Sequence, residues 1–274
     1  MSRAGRILLG GLAVAGMVYL LTRPAPKQEA PRRPAARPFA GGGDWEVELV
    51  AEYPHDVTAY TQGLLWHGGS LYESTGLYGR STLRQVELST GTVLREVRLP
   101  MELFGEGLAR VGERLVQLTW QEGKALYWHL ADLSRAAERS FTGEGWGLCW
   151  DGARLVMSDG SATLTLRDAE SFAETGRIAV TRGGRPLDLL NELECVEGVI
   201  WANVYTTDEV VRIDPETGAV TATVDASLLR GLDLGRGAEV ANGIAWRPET
   251  KTFLLTGKRW SKVFEVRFVP KGRS

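Results

Sequence analysis

The sequence predicts an all-β fold, a five-bladed β-propeller with four antiparallel strands in each blade. A unit of roughly 45 residues, the length of one blade, occurs five times after residue 44. The 33 glycines suit a chain that turns tightly and often. The last unit supplies only three strand-like runs, and a fourth stands at the other end of the region, just before the first unit. Pairing the two would close a ring and hide a strand edge that otherwise invites aggregation.

The five copies open with Gln62-Gly-Leu-Leu-Trp, Glu106-Gly-Leu-Ala-Arg, Trp146-Gly-Leu-Cys-Trp, Glu192-Leu-Glu-Cys-Val and Asn242-Gly-Ile-Ala-Trp. In the first unit, Gly63 to Trp66, Ser70 to Ser74, Thr82 to Leu88 and Val93 to Leu99 read as strands. They are separated by His67-Gly68-Gly69, a Gly76 to Gly79 loop and Ser89-Thr90-Gly91. The last unit offers Gly243 to Arg247, Thr252 to Leu255 and Lys262 to Phe268, with Trp45 to Tyr53 as the closing strand. A ring of six or seven blades is the alternative.

Composition sets the broader bounds. The chain is 43% hydrophobic and 24% charged, enough for one domain with a sizeable core. Residues 1–40 hold seven Lys/Arg and one acid, a charge of +6, so a net charge of −2 leaves −8 on the remainder and argues against nucleic acid as partner. Arg3 and Arg6 precede an apolar run from Ile7 to Leu21, and Arg23 to Pro38 carries five of the eleven prolines. This predicts a signal peptide or signal anchor over 1–22, a Pro/Arg-rich linker over 23–44 and the propeller over 45–270. The 15-residue run would be about 22 Å long as helix, short for a hydrocarbon core of about 30 Å. No small-x-small cleavage site follows it, which favours a retained anchor over a cleaved signal. Either reading places the domain outside the cytoplasm: in the periplasm and held to the inner membrane, or secreted. A monomer is expected.

Aligned second strands end in Gly76, Trp120, Gly160, Tyr205 and Lys258. In an antiparallel pair the end of the second strand lies beside the start of the first, so both sets of variable residues share one rim of the central channel. That rim gathers Gln62, Glu106, Trp146, Glu192 with its neighbour Asn191, Asn242, Trp120, Tyr205 and Lys258. A carboxylate and a lysine can move a proton and stabilise an oxyanion, and aromatic walls exclude water. The glycines flanking Glu106 are read as leaving its approach open. Equally, Glu106 and Lys258 could form a rim ion pair beside an aromatic surface that only binds.

His55, His67 and His129 lack metal-ligand spacing and read as structural or exposed. Asp159, Asp208 and Asp214 read as turn formers. Cys149 and Cys195 fall at equivalent places in adjacent first strands. With packed sheets about 10 Å apart and a disulfide needing Cα atoms within about 7 Å, two buried thiols are expected. No metal site and no cofactor are expected at the rim, although a structural cation in the channel stays open.

The strings Tyr60-Thr-Gln-Gly-Leu64, Glu73-Ser-Thr-Gly-Leu-Tyr-Gly79, Phe104-Gly-Glu-Gly-Leu108, Gly145-Trp-Gly-Leu148, Ser158-Asp-Gly160, Asn191-Glu-Leu-Glu194, Trp201-Ala-Asn203, Asn242-Gly-Ile-Ala245 and Thr256-Gly-Lys258 resemble the glutaminyl-peptide cyclotransferases of the plant and bacterial type, the papaya glutaminyl cyclase family. The resemblance spans about residues 46 to 268, in order and in all five units. It implies a five-bladed propeller that converts N-terminal glutamine of peptides and proteins to pyroglutamate with release of ammonia, without a catalytic zinc. It makes Glu106 the proton-transfer residue, with Asn191 and Lys258 holding the side-chain amide, and Gln62, Trp120 and Trp146 shaping the pocket. Tyr205 stands where the family usually has tryptophan, and Tyr60 where it often has phenylalanine; both stay aromatic, so altered affinity or peptide preference is expected. The alternative from another class is a non-catalytic propeller binding peptide or cell-wall polymer through Trp120, Trp146 and Tyr205.

Overall fold

The computed structural model describes residues 45–272, so the expected signal segment and the whole of the linker lie outside the described residues. Four strands build the first sheet: β2 (Thr61–His67), β3 (Ser70–Thr75), β4 (Thr82–Glu87) and β5 (Thr92–Arg98). The second comprises β6 (Gly105–Val111), β7 (Arg114–Thr119), β8 (Lys124–His129) and β9 (Arg135–Ser140). A third is formed by β10 (Leu148–Trp150), β11 (Leu155–Met157), β12 (Thr163–Arg167) and β13 (Glu174–Ala179). A small hairpin, β14 (Thr181–Arg182) with β15 (Arg185–Pro186), then leads to β16 (Leu190–Val196), β17 (Val199–Val204), β18 (Glu209–Ile213) and β19 (Val220–Asp225). After the four-residue helix α1 (Ser227–Arg230), the chain ends in β20 (Ala241–Arg247), β21 (Thr252–Gly257) and β22 (Lys262–Pro270).

The closing strand expected from the sequence is β1 (Trp45–Pro54), which lies antiparallel to β22 with Tyr53 opposite Val263 and Val47 opposite Phe268. Its first two residues also pair in parallel with β19, Trp45 against Val224, which joins the last two four-stranded sets into one eight-stranded sheet. Burial falls outward within each set. Every residue of β3 is buried, whereas six of the seven residues of β5 are exposed.

The first strands touch in cyclic order: β2 packs on β6, β6 on β10, β10 on β16, β16 on β20 and β20 back on β2. Glycine makes this convergence possible. A Cβ on Gly63 would lie 2.5 Å from the backbone nitrogen of Leu108, one on Gly107 2.5 Å from that of Leu148, and one on Gly147 2.1 Å from the carbonyl of Asn191. The glycines beside Glu106 therefore do not clear its approach, as the sequence suggested. Gly107 lets two backbones meet, and Gly105 faces the Thr75 carbonyl, 2.7 Å from where its Cβ would stand.

The fourth set departs from the repeat. Leu190 opposes Val204 and Leu193 opposes Ala202, just as Gly105 opposes Thr119 and Leu108 opposes Gln117. Asn191 is thus the counterpart of Glu106, and Glu192 fills the glycine position, one residue from where the sequence alignment put it. A carboxylate there does what close backbone contact does elsewhere: Glu192 accepts the N–H groups of Leu64 at 3.1 Å and Ile244 at 2.7 Å. Two residues on, Glu194 accepts the N–H of Trp246 at 2.8 Å.

Convergence also overturns the expectation of two free thiols. Cys149 and Cys195 form a disulfide with Cα atoms 5.4 Å apart. The spacing of about 10 Å holds between sheet faces, but β10 and β16 meet edge to edge where Gly147 touches Asn191. Asp159, Asp208 and Asp214 all lie in the connections between strands; Asp159 and Asp214 accept backbone N–H groups two residues on, and the Asp208 carboxylate pairs with Arg230 at 2.7 Å. His55 is buried between the Trp260 carbonyl and Glu73.

The bond closes a loop with a sequence separation of 46 residues. Replacing both cysteines by serine should therefore lower the unfolding free energy by about 2–4 kcal/mol, measured by urea denaturation under non-reducing conditions. An unchanged midpoint would mean that the bridge does not constrain the unfolded chain.

Candidate active site

One backbone hydrogen bond recurs at the rim. The N–H that ends the second strand donates to the carbonyl two residues before the variable slot of the first: Gly76 to Tyr60, Trp120 to Phe104, Tyr205 to Leu189 and Lys258 to Val240, at 2.8 to 3.0 Å. These bonds set Trp120, Tyr205 and Lys258 beside the slots of Glu106, Asn191 and Asn242.

Glu106 and Lys258 are each only 4% exposed. Gln62 Nε2 donates to Glu106 Oε1 at 2.7 Å, and Asn242 Nδ2 donates to Gln62 Oε1 at 3.2 Å and to the Thr61 carbonyl at 3.1 Å. Burial pushes the Glu106 carboxyl well above the usual carboxylate range; Lys258 opposes the shift, and the acids Glu144 and Glu122 add to it. The same burial presses Lys258 down to about 8, against the pull of Glu106 and Glu239. Its ammonium lies 4.6 Å from the ring centroid of Tyr60 and 5.2 Å from that of Tyr205, so two electron-rich faces replace part of its hydration.

Asn191 is buried, and its Oδ1 has no hydrogen-bond partner among the described residues. An unpaired buried amide oxygen costs free energy unless a donor meets it. Trp146 packs edge-on against Tyr205 at 5.6 Å, and Trp120 against Phe104 at 5.5 Å. The structure thus brings together Gln62, Glu106, Trp120, Trp146, Asn191, Tyr205, Tyr60, Lys258 and, behind Gln62, Asn242, every residue singled out for the rim except Glu192.

Sequence reasoning passed over two members. Phe104 packs edge-on against Tyr60, Tyr78 and Trp120, joining the walls of one side. Its position matches Tyr60 through the recurring backbone bond, a signal visible once the units are aligned two residues further back. Glu144 accepts both indole N–H groups, from Trp120 and from Trp146, at 2.9 Å each. It lies in a connecting loop, where the repeat offers no signal. Among the described residues no group of three or more His, Cys, Asp or Glu is placed to hold a metal ion.

A buried acid and base set against each other within aromatic walls make this a candidate active site on an all-β frame. The chain belongs to the glutamine cyclotransferase family, whose model matches residues 20–268. It is 41% identical to a glutaminyl-peptide cyclotransferase of Arabidopsis thaliana over 227 residues, which is 81% of this chain and 71% of the plant protein. It is also 41% identical to the crystal structure of Myxococcus xanthus glutaminyl cyclase, with a TM-score of 0.79 over 84% of this chain and 99% of that one.

Glu192, expected at the mouth, is fully buried and braces β16 against β2 and β20. Glu192→Ala would orphan two buried N–H groups, each worth about 1–3 kcal/mol. The variant should lose about 2–6 kcal/mol of stability in urea melts while the folded fraction keeps its activity. Lost activity at unchanged stability would instead return Glu192 to the mouth.

Proposed function

We propose that this chain is a glutaminyl-peptide cyclotransferase built as a five-bladed propeller, which converts the N-terminal glutamine of peptides or proteins to pyroglutamate and releases ammonia. Membership of the family supports the reaction, and the cyclic contact of five first strands supports the propeller. The observation that carries the mechanism is the buried pair of Glu106 and Lys258, each driven by desolvation toward its neutral form.

In this reading the neutral α-amine attacks the carbon of the side-chain carboxamide, forming the ring C–N bond while the carbonyl electron pair moves onto oxygen. Glu106 takes the proton that the amine sheds and passes it to the carboxamide nitrogen. The C–N bond to that nitrogen breaks, ammonia leaves and the carbonyl re-forms, with no net proton consumed. A carboxylate stripped of water is a stronger base than one in solution, which suits Glu106 to the first transfer. Gln62, itself oriented by Asn242, donates to Oε1 and sets the carboxyl plane.

Lys258 and Asn191 hold the carboxamide. The Lys258 ammonium and the Asn191 amide donate to the oxyanion as it forms, where one such donor is worth about 3–4 kcal/mol. Asn191 Oδ1, which has no partner among the described residues, can accept from the carboxamide NH2. Ring closure is intramolecular, so walls of Trp120, Trp146, Tyr60 and Tyr205 that hold the chain folded contribute through orientation.

We also place the domain outside the cytoplasm, held by the N-terminal segment. The Arg3 and Arg6 pair before an apolar run supports export, and the Cys149–Cys195 bridge suits an oxidising compartment.

The direct test is ammonia release from a glutamine-initiated dipeptide. Glu106→Gln should lower kcat by about 10²-fold or more and leave KM within a few-fold, since the amide oxygen introduced there can still accept from Gln62. A variant retaining a tenth of wild-type kcat would exclude Glu106 as the proton carrier.

The pH profile follows from two groups of opposite need. The α-amine, with a pKa near 8, must be neutral and is so above that value. The Lys258 ammonium must be charged, and with its pKa at about 8 it is lost as pH rises through that value. The profile should be a narrow bell centred near pH 8, read from initial rates. A rate that climbs to a plateau and holds to about pH 10 would remove the ammonium from the mechanism.

A further inference from the structure

Trp120 and Trp146 come from different sheets, one following β7 and the other preceding β10, yet their indole N–H groups end on the same atom. Each donates at 2.9 Å to Oε2 of Glu144, whose Oε1 accepts Gln121 Nε2 at 3.2 Å. An indole nitrogen can only donate, so each ring of a water-excluding wall needs an acceptor that does not itself intrude on the substrate. Van der Waals contacts restrain the far edges of the rings. Trp146 lies over Gly160, whose Cβ would come within 2.7 Å of it, and Trp120 meets Phe104. Those contacts leave rotation about the ring normal to be set by the N–H group. The loop that carries Glu144 is itself tied to the wall, because the N–H of Gly145 donates to the Trp120 carbonyl at 2.9 Å.

We propose that Glu144 is a positioning residue of the site: by accepting both indole N–H groups on one carboxylate oxygen it sets the mutual angle of the two tryptophan walls, and so holds the glutamine side chain curled for ring closure. This rests on the cyclotransferase reading only in its last clause. A charged acceptor shared by two donors gives shorter, stiffer bonds than a neutral one. An error of about 1 Å in the placement of a reacting group costs about 10²-fold in rate. Glu144 touches no reacting atom in this scheme; besides the charge it presents to Glu106, it acts through Trp120 and Trp146, and the double-phenylalanine background separates the two effects.

The test is Glu144→Leu, which keeps a side chain of similar size but removes both oxygens, so neither indole N–H finds its acceptor there. In nitrogen–proton correlation spectra two of the nine tryptophan indole resonances should move upfield, and these should be the two that vanish in Trp120→Phe and Trp146→Phe. With a glutamine-initiated dipeptide, Glu144→Leu should lower kcat/KM by about 10–100-fold. In a Trp120→Phe/Trp146→Phe background, which has no indole N–H to hold, the same substitution should change kcat/KM by no more than about twofold, because the coupled pair has already been removed. The proposal is overturned if either indole resonance stays in place, if wild-type kcat/KM falls less than about twofold, or if the loss is as large in the double-phenylalanine background. Should the wild-type chain release no ammonia from any glutamine-initiated peptide, the functional reading fails by itself, and with it the ring-closure clause, while the indole resonances still decide whether Glu144 sets the two walls.

Discussion

The structure depends on how closely the inner strands of its five four-stranded sets approach one another, backbone against backbone at three of the seams. Gly63, Gly107 and Gly147 each stand where a single methyl group would collide with the neighbouring main chain. That closeness orders everything around it. The residue before each glycine is presented at one mouth, so side chains far apart in sequence, such as Gln62 and Glu106, come within a hydrogen bond of each other. The same convergence brings Cys149 to Cys195, and where glycine is missing, Glu192 and Glu194 bridge the seam with carboxylates in its place.

Two buried glutamates show how a common frame yields different electrostatic outcomes. Glu73 accepts from Thr61, His55 and the Arg84 guanidinium, which itself reaches Asp56. Burial works against its charge, but Arg84 and His55 more than offset that, and the carboxyl is held far below its ordinary range. Glu106 has one neutral amide at hydrogen-bond distance and a lysine whose own charge is weakened by burial. The first group is an ion held by three donors and two neighbouring cations. The second is left under-stabilised, and a carboxyl in that condition exchanges its proton readily.

Much of this was legible in the chain itself because Gly and Leu recur beside a slot that varies. Glu106, Lys258, Gln62 and the tryptophans stood out as departures from a repeat. Where the repeat faltered, so did the reading. The fourth unit has no glycine, so Glu192 was aligned in place of Asn191, and the equivalence of the cysteines was misjudged with it. The expected 10 Å separation described sheet faces and not converging edges. Phe104 and Glu144 are missed for different reasons: Phe104 lies two residues before the slot, in register with Tyr60, whereas Glu144 lies in a loop where only three-dimensional proximity gives it a role.

The pairing of β1 with β22 sets Tyr53 opposite Val263, so the first and last described strands complete each other. Lys258 belongs to that same set of strands, whereas Glu106 belongs to the second. No contiguous half of the chain therefore contains both groups, which meet only when strands distant in sequence have come together. Contacts so distant in sequence form late, because the entropy of closing the loop must be met before the contact can repay it. On the proposed reading, activity is consequently tied to the joining of sets distant in the chain: a clipped chain holds an unpaired strand edge and lacks one member of the Glu106–Lys258 pair.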